Sequence, residues 1–321
     1  MFKQSIPVII ALSFISFLTL SLPGCGGGEG SILSAYYVDP AAGLDTNAGT
    51  QAAPFKTITK AINAARAVAT TQNVDIYAAS GVYNTASGEV FPLMPTTGEN
   101  LIGPTTTGTI PATANIDGAG NYTITGGGRS SHVISTTIAF APGVMASVYG
   151  ITANGSAPTV IVADNATVTL SNNTFKFTTT CCASYPVWIM NGSIATLTSN
   201  TITAYVAVES ADASTKVIAR NNNFGGTFGV VTADSAFAPI IASQIDLGTA
   251  ASLGNNTILC SSVGVANWGQ SGNAGVTAVG NTWTPNVQGA DASGHYASQL
   301  IAGPTTSGIN YVVLPTAGIQ F

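Results

Sequence analysis

The chain has 321 residues, of which only 7% are charged, with 8 basic against 13 acidic side chains and a formal net charge of −5. With a pI near 4.7 and no run of Lys or Arg, it lacks the electrostatic footprint of a nucleic-acid binder, and polyanionic ligands such as pectate are disfavoured. Abundant Gly, Ala, Thr, Asn and Ser suit short strands and tight turns and argue against helical bundles and disorder.

The first element is a leader. Lys3 precedes an apolar run, Ile6 to Leu22, that closes on Leu22-Pro23-Gly24-Cys25. A short apolar segment engages the export machinery, Gly24 gives the signal peptidase room, and the Cys25 thiol then accepts a diacylglyceryl group. These residues resemble the bacterial lipobox, with Pro23 where that motif carries Ala, Ser or Thr. The alternatives are an ordinary secretory cut or an uncleaved anchor, for which 17 apolar-run residues lie at the short limit of a span of about 20. Residues 1–24 are therefore read as a lipoprotein signal peptide, 25–34 as a Gly-rich tether, and 35–321 as one domain with 35–72 as its N-terminal cap segment. The membrane is then a partner through the lipid. Gly26 stands in place of the Asp that retains lipoproteins at an inner membrane, so the same resemblance points to the outer membrane or cell surface.

The block YYVDPAAGLDTNAGTQAAPFKTITKAINAA, from Tyr36, runs from a short β pattern through turns into a helix. Ile58, Ile62, Ala65 and Val68 fall close to one helical face, and Thr57 is positioned as the N-cap, predicting a helix near residues 57–69. Everything beyond consists of short β-branched runs punctuated by Gly, Asn and Asp, the pattern of many brief strands.

Those runs repeat. TVIVADNATVTLSNNTF at 159–175 aligns with PVWIMNGSIATLTSNTI at 186–202 and, more loosely, with residues 205–224. An Asn recurs two residues before a large apolar side chain at Asn173/Phe175, Asn200/Ile202, Asn222/Phe224, Asn256/Ile258 and Asn281/Trp283, in steps of 27, 22, 34 and 25 residues. Steps of this size with tolerated insertions predict the coils of a parallel β-helix, roughly eight to ten of them. Asn tolerates the left-handed backbone of a tight corner, and its amide both donates and accepts, so stacked copies form a ladder. The residue two positions on then points into the core.

The cap block, together with GVYNTASGEVFPLMPTTGENLIG at 81–103, DLGTAASLGNNTI at 246–258 and AVGNTWTP at 278–285, resembles the bacterial domain of unknown function 1565 family, within the pectin-lyase-like superfamily. The resemblance implies an all-β, right-handed parallel β-helix with an N-terminal capping α-helix, and no established activity.

Catalysis in such a solenoid needs carboxylates converging from adjacent coils. Asp164 aligns with Asn191, Asp212 lies loosely at the same corner, Glu209, Asp234 and Asp246 fall in other phases, and Arg220 is the sole Arg of the repeats. Turn roles are the preferred reading of Asp164 and Asp212, His132 and His295 stand alone, and no catalytic residue is assigned. Once Cys25 is lipidated, Cys181, Cys182 and Cys260 remain, an odd number whose pairing the sequence leaves open. Asp39, Asp45 and Asn47 have the oxygens of a calcium loop, but two carboxylates fall short of its usual charge, so turn capping is preferred and no cofactor is expected. Tyr149, Tyr185, Tyr205 and Trp188 are candidates for stacking on sugars, with packing between coils the alternative for each. The functional expectation is a non-catalytic, lipid-anchored surface protein that binds a glycan or a protein partner. A polysaccharide lyase or glycoside hydrolase is the alternative.

Overall fold

The structure is a computed structural model, described over residues 35–68, 73–104, 113–124, 132–155, 158–177, 186–211, 214–232, 244–267, 276–283, 288–291, 296–297, 300–301 and 310–311. Cys25, Cys181, Cys182, Tyr185, Asp212, Asp234 and His295 lie outside the described residues, as do the side chains of Val68, His132, Tyr205, Glu209, Cys260 and Trp283.

Alternation of small apolar and Thr/Ser residues makes each run a strand with one inward face, and the runs stack in parallel as a right-handed β-helix. Among the described residues the first sheet has nine parallel strands: Ala35–Val38, Val74–Ala78, Glu99–Ile102, Met145–Tyr149, Thr167–Ser171, Ile194–Thr198, Lys216–Arg220, Gln244–Asp246 and Val276–Thr277. Nine rungs agree with the coil number expected from the Asn spacing. The second sheet bends around the rest of each coil. In the coils before residue 200 this sheet is broken into two short strands per coil, such as Thr174–Lys176 and Val187–Met190. Later coils fuse them into single long strands, Thr201–Ala211, Asn223–Thr232 and Thr257–Asn267.

The registers match the sequence repeats. Val160 pairs with Val187, Thr167 with Ile194, and Phe175 with Ile202. An interior column runs through Tyr83, Ile116, Ala153, Phe175, Ile202, Phe224 and Ile258, each fully buried. The expected inward stack is thus present at Phe175, Ile202, Phe224 and Ile258, and it extends further toward the N-terminus than the Asn pattern marked.

The Asn ladder has one correction. The left-handed corner residue is the one before each ladder position: Asn172, Ser199, Asn221 and Asn255 have φ between 50° and 58°, and Gly280 has 76°. The ladder Asn is free of that strain and aims its amide along the stack. Asn173, Asn200, Asn222 and Asn256 each donate Nδ2 to the Oδ1 of the next, at 2.9–3.1 Å, ending on Asn281.

The helix α1, Ile58–Val68, covers the first rungs with Ile58, Ala61, Ile62 and Ala65 buried against the core. Its N-terminus is capped as expected, since Thr57 Oγ1 accepts the Lys60 N–H at 3.1 Å. One element was not anticipated. The strands Gly120–Ile124 and His132–Thr136 form an antiparallel hairpin. Its Tyr122 and Ile124 bury Ala139, Ile161 and Trp188 on the outside of the second sheet. Among the described residues no helix is long and apolar enough to cross a membrane.

Candidate functional site

The cap segment folds through carboxylates that satisfy orphan amides. Asp45 Oδ1 accepts the Lys56 and Thr57 N–H groups and its Oδ2 accepts the Thr57 hydroxyl at 2.9 Å. Glu89, from a strand-to-strand turn, reaches back to accept the Ile58 and Thr59 N–H groups at 2.7 and 2.9 Å, so a buried acid completes the first turn of α1. Burial raises the Glu89 pKa, although those hydrogen bonds oppose the shift. Asp39 caps Ala41 and Ala42, while the Asn47 amide donates to the Pro54 carbonyl. The three calcium candidates therefore act in separate turn contacts. Among the described residues no group of three or more His, Cys, Asp or Glu gathers as metal ligands.

The remaining carboxylates are dispersed. Asp164 sits in the corner at φ 58° and accepts the Asn191 amide at 2.7 Å, the turn role expected of it. Arg220 and Asp246 form an ion pair at 2.9 Å on the outer face of the first sheet. The Arg220 guanidinium also bonds the Asp246 carbonyl and the Ser252 hydroxyl, which ties the loop before Asn255 to its own coil. Burial works to raise the Asp246 pKa, but the Arg220 hydrogen bond and the Gly248 N–H prevail and hold it below the usual range. Glu99 points into the core and is 3% exposed.

Aromatic side chains, in contrast, converge. On the outer face of the first sheet, Tyr37, Tyr77, Ile102 and Tyr149 occupy one register row on four successive rungs. The burial alternation of their strands turns all four outward, leaving Tyr77 37% and Tyr149 38% exposed. Tyr37 and Tyr77 stack, with ring centroids 5.2 Å apart and planes 21° apart. They wall a cleft of about 430 Å³ that Asp39, Gln51, Ile102 and Gly103 help to line. Tyr77 donates its hydroxyl to Asp75 at 3.1 Å, and that hydrogen bond raises the phenol pKa. Asp75 also accepts the Asn100 amide at 2.8 Å. The arrangement offers apolar ring surface beside carboxylate, amide and hydroxyl groups, the combination that recognises a polar organic ligand with an apolar face.

Of the four aromatic residues singled out from sequence, Tyr149 belongs to this row. Trp188 does not: it is buried to 2% under the hairpin and packs with Ile161 and Met190. Tyr185 and the side chain of Tyr205 lie outside the described residues. Tyr37 and Tyr77 were missed. Their signal was present as period-two alternation in AYYV and VDIYA, which sends both outward once the strands are paired.

No curated protein and no solved structure matches the chain. Residues 41–288 match the family model described as Protein of unknown function (DUF1565), and the chain belongs to that family.

Proposed function

We propose that this protein is an exported β-helix, anchored by lipid at Cys25 on the cell envelope, that binds an uncharged saccharide through the cleft walled by Tyr37 and Tyr77. The observation that carries the reading is the stacked, outward ring pair at the mouth of a cleft with mixed apolar and polar lining. Sugars present C–H faces that lie against aromatic rings and hydroxyls that bond amides and carboxylates. The carboxylates at Asp39 and Asp75, with the acidic balance of the whole chain, favour neutral over anionic sugars. A rigid stack of coils sets such a row at fixed spacing, and the cap holds its first rungs in place.

The test is a glycan array probed with the purified full chain and with Tyr77→Ala. Saturable binding of neutral glycans that the variant loses supports the reading; an array without hits defeats it. Incubating the same protein with the bound polymer and measuring new reducing ends and unsaturated products decides whether any turnover accompanies binding.

A further inference from the structure

We infer that Tyr77, Ile102 and Tyr149 form a slot that takes a single neutral pyranose ring edge-first, at the end or at a branch of a glycan. The inference rests on the saccharide reading above and narrows it to one subsite. Tyr37 and Tyr77 are stacked with ring centroids 5.2 Å apart, close to one rung spacing. On the side of Tyr77 away from Tyr37, the next rung carries Ile102. Tyr149 follows one rung beyond. Ile102 is shorter than either tyrosine, which leaves room above it between the two outward tyrosine positions.

The width decides which ring fits. Two rung spacings place the tyrosine positions about 9.5 Å apart. A flat aromatic guest touching both walls at carbon–carbon contacts of about 3.5–4 Å would need only about 7–8 Å. The spare width of about 1.5–2.5 Å favours a thicker, puckered sugar ring over a nucleobase or an aromatic side chain.

Its two ends differ in chemistry. Two residues back along the same three strands stand Asp75, Asn100 and Ser147, in register with one another and outward-facing. They set a carboxylate, an amide and a hydroxyl about 7 Å from the apolar row, within reach of ring hydroxyls. At the other end the chain carries glycine on both rungs, Gly103 after Ile102 and Gly150 after Tyr149. A Cβ at Gly103 would lie 2.1 Å from the Gly150 carbonyl oxygen, so the backbones close together there without side chains. That end is left open to the cleft through Gly103 and Ile102, which line it. A ring entering edge-first thus has its hydroxyls against the polar row and its glycosidic exit toward the cleft.

The experiment is a titration of the purified full chain, followed by NMR, with methyl glucopyranoside, methyl galactopyranoside, methyl mannopyranoside and glucuronic acid, and with the glycans that score on the array. Tyr149→Ala is expected to weaken binding of the neutral ligand about tenfold, Tyr149→Phe to retain it, and Ile102→Phe, which fills the slot, to abolish it. Because Ile102→Phe could disturb the sheet, contacts from ligand ring protons to the Tyr77 and Tyr149 rings provide a second readout in the unaltered protein. Neutral saccharide bound with wild-type affinity by Tyr149→Ala, without those contacts, overturns the slot while the saccharide reading stands. Glucuronic acid bound as tightly as the neutral ligands overturns the choice of a neutral ring. A chain that binds no saccharide overturns both.

Discussion

Asn200 receives two hydrogen bonds on one oxygen: its Oδ1 accepts the Asn173 backbone N–H at 2.9 Å and the Asn173 side-chain amide at 3.1 Å. The same double contact recurs at Asn222, Asn256 and Asn281. Each ladder Asn also donates into the first sheet, as Asn222 does to the Leu197 carbonyl at 2.9 Å. Asn222→Ala would orphan two buried donors on Asn200 and the carbonyl of Leu197. At about 1–3 kcal/mol for an unsatisfied buried group, with partial relaxation, a loss of about 2–5 kcal/mol is expected in urea denaturation. A change within 0.5 kcal/mol would show that the ladder is dispensable.

Ser199 occupies a left-handed corner at φ 56°, where the equivalent positions carry Asn172, Asn221, Asn255 and Gly280. A Cβ in that region costs about 1–2 kcal/mol, less for Asn, whose side chain bonds locally. Ser199 is exposed, so replacing it disturbs no core. Ser199→Gly and Ser199→Asn should each raise stability by about 0.5–1 kcal/mol, read as a higher thermal midpoint. A lower midpoint for both would contradict the corner assignment.

Burial raises the Glu99 pKa, and its Oε1 has no hydrogen-bond partner among the described residues, while Oε2 accepts the Thr96 N–H at 2.7 Å. A carboxyl that holds its proton more tightly when folded stabilises the fold fully below its unfolded pKa, and that contribution is lost as pH rises through the folded value. Glu99→Gln removes the dependence. Its stability relative to wild type should therefore climb from pH 4 to neutrality, by about 1 kcal/mol, in denaturation curves taken across that range. Parallel pH profiles for the two proteins would refute the assignment.

Anchorage is checked by metabolic labelling with a fatty-acid analogue. The label should follow the wild-type chain into the membrane fraction and be absent from Cys25→Ala, whereas equal labelling of both would defeat the lipid attachment.

How much of this was legible in the sequence depended on where register was marked. From Asn173 onward each coil carries an Asn whose spacing fixes its alignment to the next, so Phe175, Ile202, Phe224 and Ile258 could be placed inside from spacing alone. The rungs before it lack that mark. At the position equivalent to Asn173 stands Ile151, whose backbone N–H takes over by donating to Asn173 Oδ1 at 3.1 Å. Without a register signal, Tyr37, Tyr77 and Tyr149 were three unrelated aromatics, although pairing puts them in one row. Trp188 failed for another reason. Its alternation correctly turned it away from the core, but the hairpin that covers it comes from more than fifty residues upstream, and no periodic pattern announces such an insertion.

The ladder amides bridge in both directions: Asn173, Asn200, Asn222 and Asn256 each donate Nδ2 forward to the next Oδ1 and back to the carbonyl of Val148, Leu170, Leu197 or Ala219 on the preceding rung. At the N-terminal end the chain of bonds closes on a main-chain N–H, which every residue but proline supplies. At the other end Asn281 turns its amide to the Leu247 and Ala278 carbonyls. A coil is therefore completed by both its successor and its predecessor. Cutting the stack from the C-terminal side strands two buried donors at each ladder step, and shortening it from the N-terminal side strands a donor and an acceptor, so nested deletions should cost stability coil by coil from either end.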